Sequence, residues 1–537
     1  MNIYSPLTRD FMRPGRSPAR APRAMAATSN PLATETALHI LRQGGNAIDA
    51  AIAACAVLCL TEPHQTGIGG DCFVLIAPKG TNKVIGYNGS GRAPAAIDRA
   101  TVARRMPNGI EEESVEAVTV PGAVEAWARL SADHGRLPLA AVLEPAIHYA
   151  EQGVPIGDRT VDDWRRERTK IAASPFLAAR FLDEAGEPLR PGTRICYPEL
   201  ARTFRRIAGQ GADGFYRGPV AQAMVAALNV QGGVHRLSDF TNHRGEYVTP
   251  MSSEFRGYRV HQCPPNGQGI ITLLLLGLVS DLPRDPEGPL GPWRAHSLME
   301  AARLAFAMRD RHLCDPSFSN FDWQACLDAA ALKRAAADIQ RDARLPEESL
   351  LEWREHRDTT YLAVVDEERN AVSFINSLFE AFGSGIGDPE TGVVFHNRGL
   401  SFSLDDAHPN ALAPGKRPMH TIIPGMLTRN GRAVMPFGVM GGHFQPVGHT
   451  LLLSHMFDYG LDLQTAIDQP RLFPSEGKVW VESGIDDVLR AHLSRLGHEV
   501  DDRTDPIGGA QAIWIDEETG MLTGGSDPRK DGCAVGY

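Results

Sequence analysis

Cysteine is scarce and badly placed for chemistry. Eight residues (55, 59, 72, 196, 263, 314, 326, 533) are spread over 537 positions with no C-x-x-C pair and no histidine at metal-ligand spacing. That excludes a zinc-ribbon or finger architecture and a disulfide framework, and leaves buried thiols as the plain reading. Long apolar runs are missing too. The longest, Ile270 to Val279, is too short to span a bilayer, and the Arg- and Pro-rich first 25 residues contain no apolar core of a secretory signal, so a cytoplasmic setting is expected. Basic charge is in deficit: 54 Lys and Arg against 65 Asp and Glu give −11, spread through the chain. Nucleic acid and anionic membranes are therefore poor partners, and a small molecule is the expected one. No period of 20–50 residues recurs, which excludes solenoids and propellers.

What the chain does contain is a core-forming composition, 43% hydrophobic, with helical patterns in the middle and strand patterns at both ends. Residues 1 to about 24 read as an irregular arm. Thr34–Leu41 and Asn46–Leu60 read as helices linked by Gly44-Gly45, the second almost wholly apolar and so buried. Thr66 to Asp71 is a glycine-rich loop running into the strand Cys72–Ala77. It lacks Gly-Lys-Ser/Thr and does not open a helix, so it is a structural turn rather than a phosphate loop. Helices are expected over Ala123–Gly153, Glu199–Ala227, Ile270–Leu282, Ala295–His312, Trp323–Arg344 and Gly448–Tyr459, and strands over Val84–Asn88, Gly392–Phe395, Thr421–Thr428 and Ala433–Val439.

The stretch with chemical interest begins at Arg357-Asp358-Thr359-Thr360. A charged segment, Glu352 to Asp358, turns abruptly into an apolar strand, and Glu367–Asn370 then supplies a turn before Ala371–Ile375 returns. Cutting the chain between Asp358 and Thr359 gives Thr359 a free α-amine. Such an amine has a pKa of about 7.7–8, close to what is needed to take the proton of its own hydroxyl. Read alone, Asp-Thr-Thr is equally an ordinary strand start. A second such element is Met440-Gly441-Gly442-His443 between a strand and a helix, where adjacent backbone N–H groups can meet a developing oxyanion; the plain alternative is a turn.

Taken in order, Gly44 to Ala51, Gly67 to Asp71, Val118 to Ala123, Pro264 to Gly269, Thr359 to Asp366, Gly438 to Gly442 and Asp527 to Gly532 resemble the γ-glutamyltransferase family of N-terminal nucleophile hydrolases. The resemblance implies an α+β fold, a four-layer αββα sandwich with a helical large-subunit portion. It also implies self-cleavage into a large chain (25–358) and a small chain (359–537) that remain together as a heterodimer in one sandwich, with a dimer of these as a further option for assembly. It makes Thr359 the nucleophile, Ser377 its supporting hydroxyl, and Gly441 and Gly442 the oxyanion site, with no cofactor and no metal.

Departures from the family pattern fall at the substrate. The family's carboxylate-binding arginine falls on Ser90, its asparagine and acidic partners for the α-amino group on Phe379 and Ser401, and its serine pair on His420-Thr421. The loop from Ser403 to Lys416 is shorter than in members with a lid. A buried ammonium without a partner is costly, so a γ-glutamyl substrate is disfavoured. The pattern is closest to the oxamate amidohydrolase and acylase branches, whose small carboxylate-bearing amide needs a cation or strong donors. Arg92, His420 and Thr421 are the candidates. The alternatives are a γ-glutamyltransferase or glutathione hydrolase and, last, a non-catalytic relative.

Overall fold

The computed structural model describes residues 15–346, 359–475 and 477–537. The expected cleavage-site residue Asp358 and the charged segment 352–358 lie outside the described residues. Two seven-stranded sheets face one another. One runs, edge to edge, through Ala19–Ala21, Leu522–Ser526, Gly509–Ile515, Arg432–Met440, Gly425–Arg429, Tyr258–Gln262 and Met251–Phe255. The other runs through Cys533–Gly536, Met25–Thr28, Thr360–Val365, Ala371–Ser377, Asp71–Ala77, Ile85–Gly89 and Glu246–Val248. Neighbouring strands in both are antiparallel.

The pleat explains the layering. Within Thr360–Val365, Tyr361, Ala363 and Val365 point into the inter-sheet core with Phe73, Leu75, Ile375, Met426 and Ile513. Leu362 and Val364 point the other way, onto the helices Pro31–Arg42 and Ala47–Thr61. The helices Gly269–Asp281, Pro292–His312 and Gln445–Phe457 cover the far side of the second layer. This is the αββα sandwich. The almost wholly apolar helix Ala47–Thr61 starts where Asn46 accepts from the N–H of Ile48 and Asp49, while Asp49 accepts from the N–H of Asn46.

Several elements differ from expectation. Ala19–Ala21, inside the segment expected to be an irregular arm, pairs with Leu522–Ser526, because that edge offers free backbone groups. The helix expected over Trp323–Arg344 is confined to Ala329–Ala337, where Asp328 caps its start by accepting from Ala331 N–H. Gly392–Phe395 makes only an isolated bridge, Gly387 to Val394, and the strand expected from Thr421 begins at Gly425. No helix among the described residues is long and apolar enough to cross a membrane.

Burial also dictates a pH response. His235 and His455 are pushed down to about 4, and His243, His420 and His449 to about 3, in each case chiefly by loss of solvent. Their folded values lie below the unfolded value of about 6.5, so the unfolded chain binds protons first. The stability they contribute is complete above pH 6.5 and drains away as pH falls towards 3–4. Each costs about 1.4 kcal/mol per pH unit over that range. Urea midpoints measured from pH 7 to 4.5 should fall steadily below 6.5; a flat profile down to pH 5 would contradict this.

Candidate active site

Thr359 sits immediately before the strand Thr360–Val365, at the end of the sheet where Thr360 pairs with Asn376 and Ser377 pairs with Asp71. Its Oγ lies 3.2 Å from Ser377 Oγ, and both residues are buried. The Phe379 N–H donates to Ser377 Oγ at 2.8 Å, which fixes that hydroxyl against the threonine. Thr360, the other hydroxyl of the pair, is turned to the carbonyl of Asn376. The carbonyl of Thr359 accepts from the Gln65 amide at 2.8 Å, and the Gln65 oxygen accepts in turn from Lys530 Nζ and His64 Nε2, each at 3.1 Å.

The glycine-rich loop is a packing device. A Cβ on Gly69 would come within 2.0 Å of the Val394 carbonyl oxygen, and one on Gly70 within 2.3 Å of the Ser377 oxygen. Only glycine lets this turn pass beneath the strand that carries Ser377. Asp71, which ends the loop, is buried. One oxygen accepts from the N–H of Gly91 and Gly122, and the other from His420 Nε2 at 3.0 Å. Burial alone would raise this carboxyl, but His396, the His420 hydrogen bond and Arg398 outweigh it and hold it well below the usual carboxylate range. His420 and His396 are themselves pushed down by burial, so at neutral pH the compensating positive charge resides on Arg398.

Gly441 and Gly442 follow the strand Arg432–Met440 and precede the helix Gln445–Phe457, both at positive φ (118° and 52°). The Gln268 side-chain amide donates to the carbonyls of Thr421 (2.9 Å) and Gly442 (3.0 Å). The turn Pro264 to Gly269 thereby locks the glycine pair to the segment that carries His420 and Thr421.

The three expected substrate donors are already engaged. Arg92 Nη1 donates to Asp315 Oδ2 (3.2 Å) and to the Gly415 carbonyl (3.1 Å). His420 Nε2 is bound to Asp71, and its Nδ1 accepts from the Ile422 N–H at 3.4 Å. Thr421 Oγ accepts from Arg398 Nη1 at 2.8 Å. Ser90 Oγ accepts from the Asn266 amide. Arg398 itself escaped the reading of the sequence, as did Gln65, Asp71 and Gln268. It lies in the 3-10 turn Arg398–Ser401, is fully buried, and has the Phe379 ring on its guanidinium at 3.8 Å. Its nearness in sequence to Ser401, a residue already aligned with the substrate pocket, was the available signal. Elsewhere, His296, Glu300 and His498 approach closely enough to hold a metal, but Arg303 bonds both Glu300 oxygens and the Leu345 N–H bonds one of them.

The site thus joins a threonine at a strand head, a fixed hydroxyl beside it and a glycine pair between strand and helix. The sequence pattern of the gamma-glutamyltranspeptidase family matches residues 33–537. The chain belongs to this family. Among its relatives, the glutathione hydrolase-like YwrD proenzyme of Bacillus subtilis is 39% identical, covering 96% of this chain and 98% of that one. The oxamate amidohydrolase proenzyme of Klebsiella pneumoniae is 36% identical, covering 96% and 98%. A crystal structure of cephalosporin acylase from Bacillus halodurans superposes with a TM-score of 0.91 at 37% identity, covering 99% of each chain. Membership in the gamma-glutamyltranspeptidase family makes the protein a hydrolase of C–N bonds, in a branch with the acylase and oxamate-type relatives.

Proposed function

We propose that the protein is a self-processing N-terminal-threonine amidohydrolase that cleaves a small carboxylate-bearing amide of the oxamate type. The observation that carries the chemistry is the Thr359 hydroxyl 3.2 Å from a Ser377 hydroxyl that a backbone N–H holds in place. In processing, Thr359 Oγ bonds to the Asp358 carbonyl carbon, the peptide C–N bond breaks and leaves the Thr359 amine free, and water hydrolyses the resulting ester. The products are a large chain, 25–358 with its N-terminal arm, and a small chain, 359–537, held as a heterodimer. In turnover the free amine takes the hydroxyl proton as Oγ adds to the substrate amide, and the N–H groups of Gly441 and Gly442 meet the oxyanion. The proton passes to the departing amine as the C–N bond breaks, and water hydrolyses the acyl-threonine ester. The eight cysteines, all free, suit a cytoplasmic setting.

Phe379 and Ser401 support this substrate class: by the family resemblance they fall where an asparagine and an acidic residue hold an α-ammonium, and they offer an aromatic ring and an uncharged hydroxyl instead. Losing two or three charge-assisted contacts of about 1.5–3 kcal/mol each lowers kcat/KM for γ-glutamyl amides by orders of magnitude. Side-by-side kcat/KM values for oxamate, a glutaryl amide and glutathione on processed enzyme test this. Oxamate is expected first and glutathione last. If glutathione leads, the enzyme is a glutathione hydrolase, in keeping with the name of its Bacillus subtilis relative.

A further inference from the structure

The fold leaves one side of a buried cation open. Arg398 Nη1 is fixed by Thr421 Oγ and one guanidinium face is covered by Phe379, but Nε and Nη2 have no hydrogen-bond partner among the described residues. These two N–H groups lie along a single edge of the planar guanidinium, and the edge matches both oxygens of a carboxylate. Buried donors are nearly always paired, so two without a protein partner on one edge of the guanidinium are available to a ligand. Ser401, at the end of the same 3-10 turn, also has a buried hydroxyl without a partner.

We propose that Arg398 is the carboxylate receptor of the acyl subsite, holding through Nε and Nη2 both oxygens of a planar carboxylate on the substrate's acyl group. The inference rests on the amidohydrolase reading and names what that site grips. Asp71 balances the guanidinium charge without occupying its open edge, because the carboxylate oxygens of Asp71 are bonded to Gly91, Gly122 and His420. Phe379 sits at positive φ (84°), a conformation that a bulky residue rarely adopts, with its ring centroid 3.8 Å from the guanidinium carbon. Thr421 binds Arg398 through its hydroxyl and, through its carbonyl, shares the Gln268 amide with Gly442, so the carboxylate grip and the oxyanion site are linked by one side chain.

The experiment is calorimetric binding of oxalate and malonate, set against the uncharged isostere oxamide, to processed wild type, Arg398→Gln and Arg398→Lys. Wild type should prefer oxalate over oxamide by about 30-fold or more, Gln should reduce that preference to about threefold or less, and Lys, which keeps the charge but not the fork, should fall between. Equal binding of oxalate and oxamide by wild type, or undiminished oxalate binding by Arg398→Gln, overturns the inference while amide hydrolysis by the wild type keeps the function standing. Loss of amide turnover on every substrate, with the oxalate preference intact, sinks the function instead. If the Gln variant fails to fold, the wild-type pair of ligands and the Lys variant decide the matter.

Discussion

A Thr359→Ala chain is expected to remain a single 58.3 kDa polypeptide with no measurable turnover, while the parent protein separates on a denaturing gel into two chains. One oxygen serves both reactions, so the loss in each should be complete rather than graded. Thr360 does not substitute, because its hydroxyl is committed to the Asn376 carbonyl. Thr359→Ser keeps the nucleophilic oxygen and should still be cut, though more slowly, since the smaller side chain is less firmly oriented against Ser377. Intact mass spectrometry of freshly expressed protein reads the outcome. A normally processed Thr359→Ala chain would reassign the nucleophile.

The second large effect belongs to a residue outside the proposed catalytic pair, Thr359 and Ser377. Asp71→Ala removes the acceptor for the Gly91 and Gly122 N–H groups, the partner of His420 and the charge that balances Arg398. Breaking a buried charge pair by deleting one member costs about 3–5 kcal/mol, since the other charge remains buried and uncompensated. The urea midpoint should fall accordingly, and self-cleavage should slow because Ser377 is the strand partner of Asp71. Asp71→Asn keeps an oxygen for the two backbone donors but loses the charge and the acceptor for His420 Nε2, so its midpoint should lie between those of the wild type and Asp71→Ala. An unfolding free energy unchanged within about 0.5 kcal/mol in Asp71→Ala would show that the site carries no such charge balance.

The fold was legible where a pattern is local and periodic. The helix Ala47–Thr61 announces itself through Asn46, Asp49 and an unbroken apolar run, and the Thr359 hairpin through an apolar strand on each side of Glu367–Asn370. The glycine loop was legible as a turn, and the structure gives its reason in backbone contacts too close for any Cβ. Arg398 was not legible, because a single arginine in a polar segment has no periodicity. Its meaning depends on Thr421 and Phe379, brought to it by tertiary packing. Arg92, by contrast, is adjacent in sequence to the right motif, yet Asp315, more than two hundred residues away, takes up its guanidinium. Edge strands such as Ala19–Ala21 escape for a related reason: three residues have too little pattern, and the partner strand supplies the order.

The order of strands decides what would become of the protein after the proposed cut before Thr359. Met25–Thr28, from before the cut, lies between Cys533–Gly536 and Thr360–Val365, both from after it, and Ala371–Ser377 is zipped to Asp71–Ala77. The facing sheet is interleaved in the same way, Gly425–Arg429 beside Tyr258–Gln262. The fragments cannot part without stripping whole strands from both sheets. Before the cut, every one of these pairings is a loop closure within one chain; afterwards, a denatured sample must bring two chains together at whatever concentration it has. On the proposed processing, the uncut chain would therefore be the form that assembles readily, and the two-chain form is expected to refold poorly after denaturation, its persistence set by its unfolding rate.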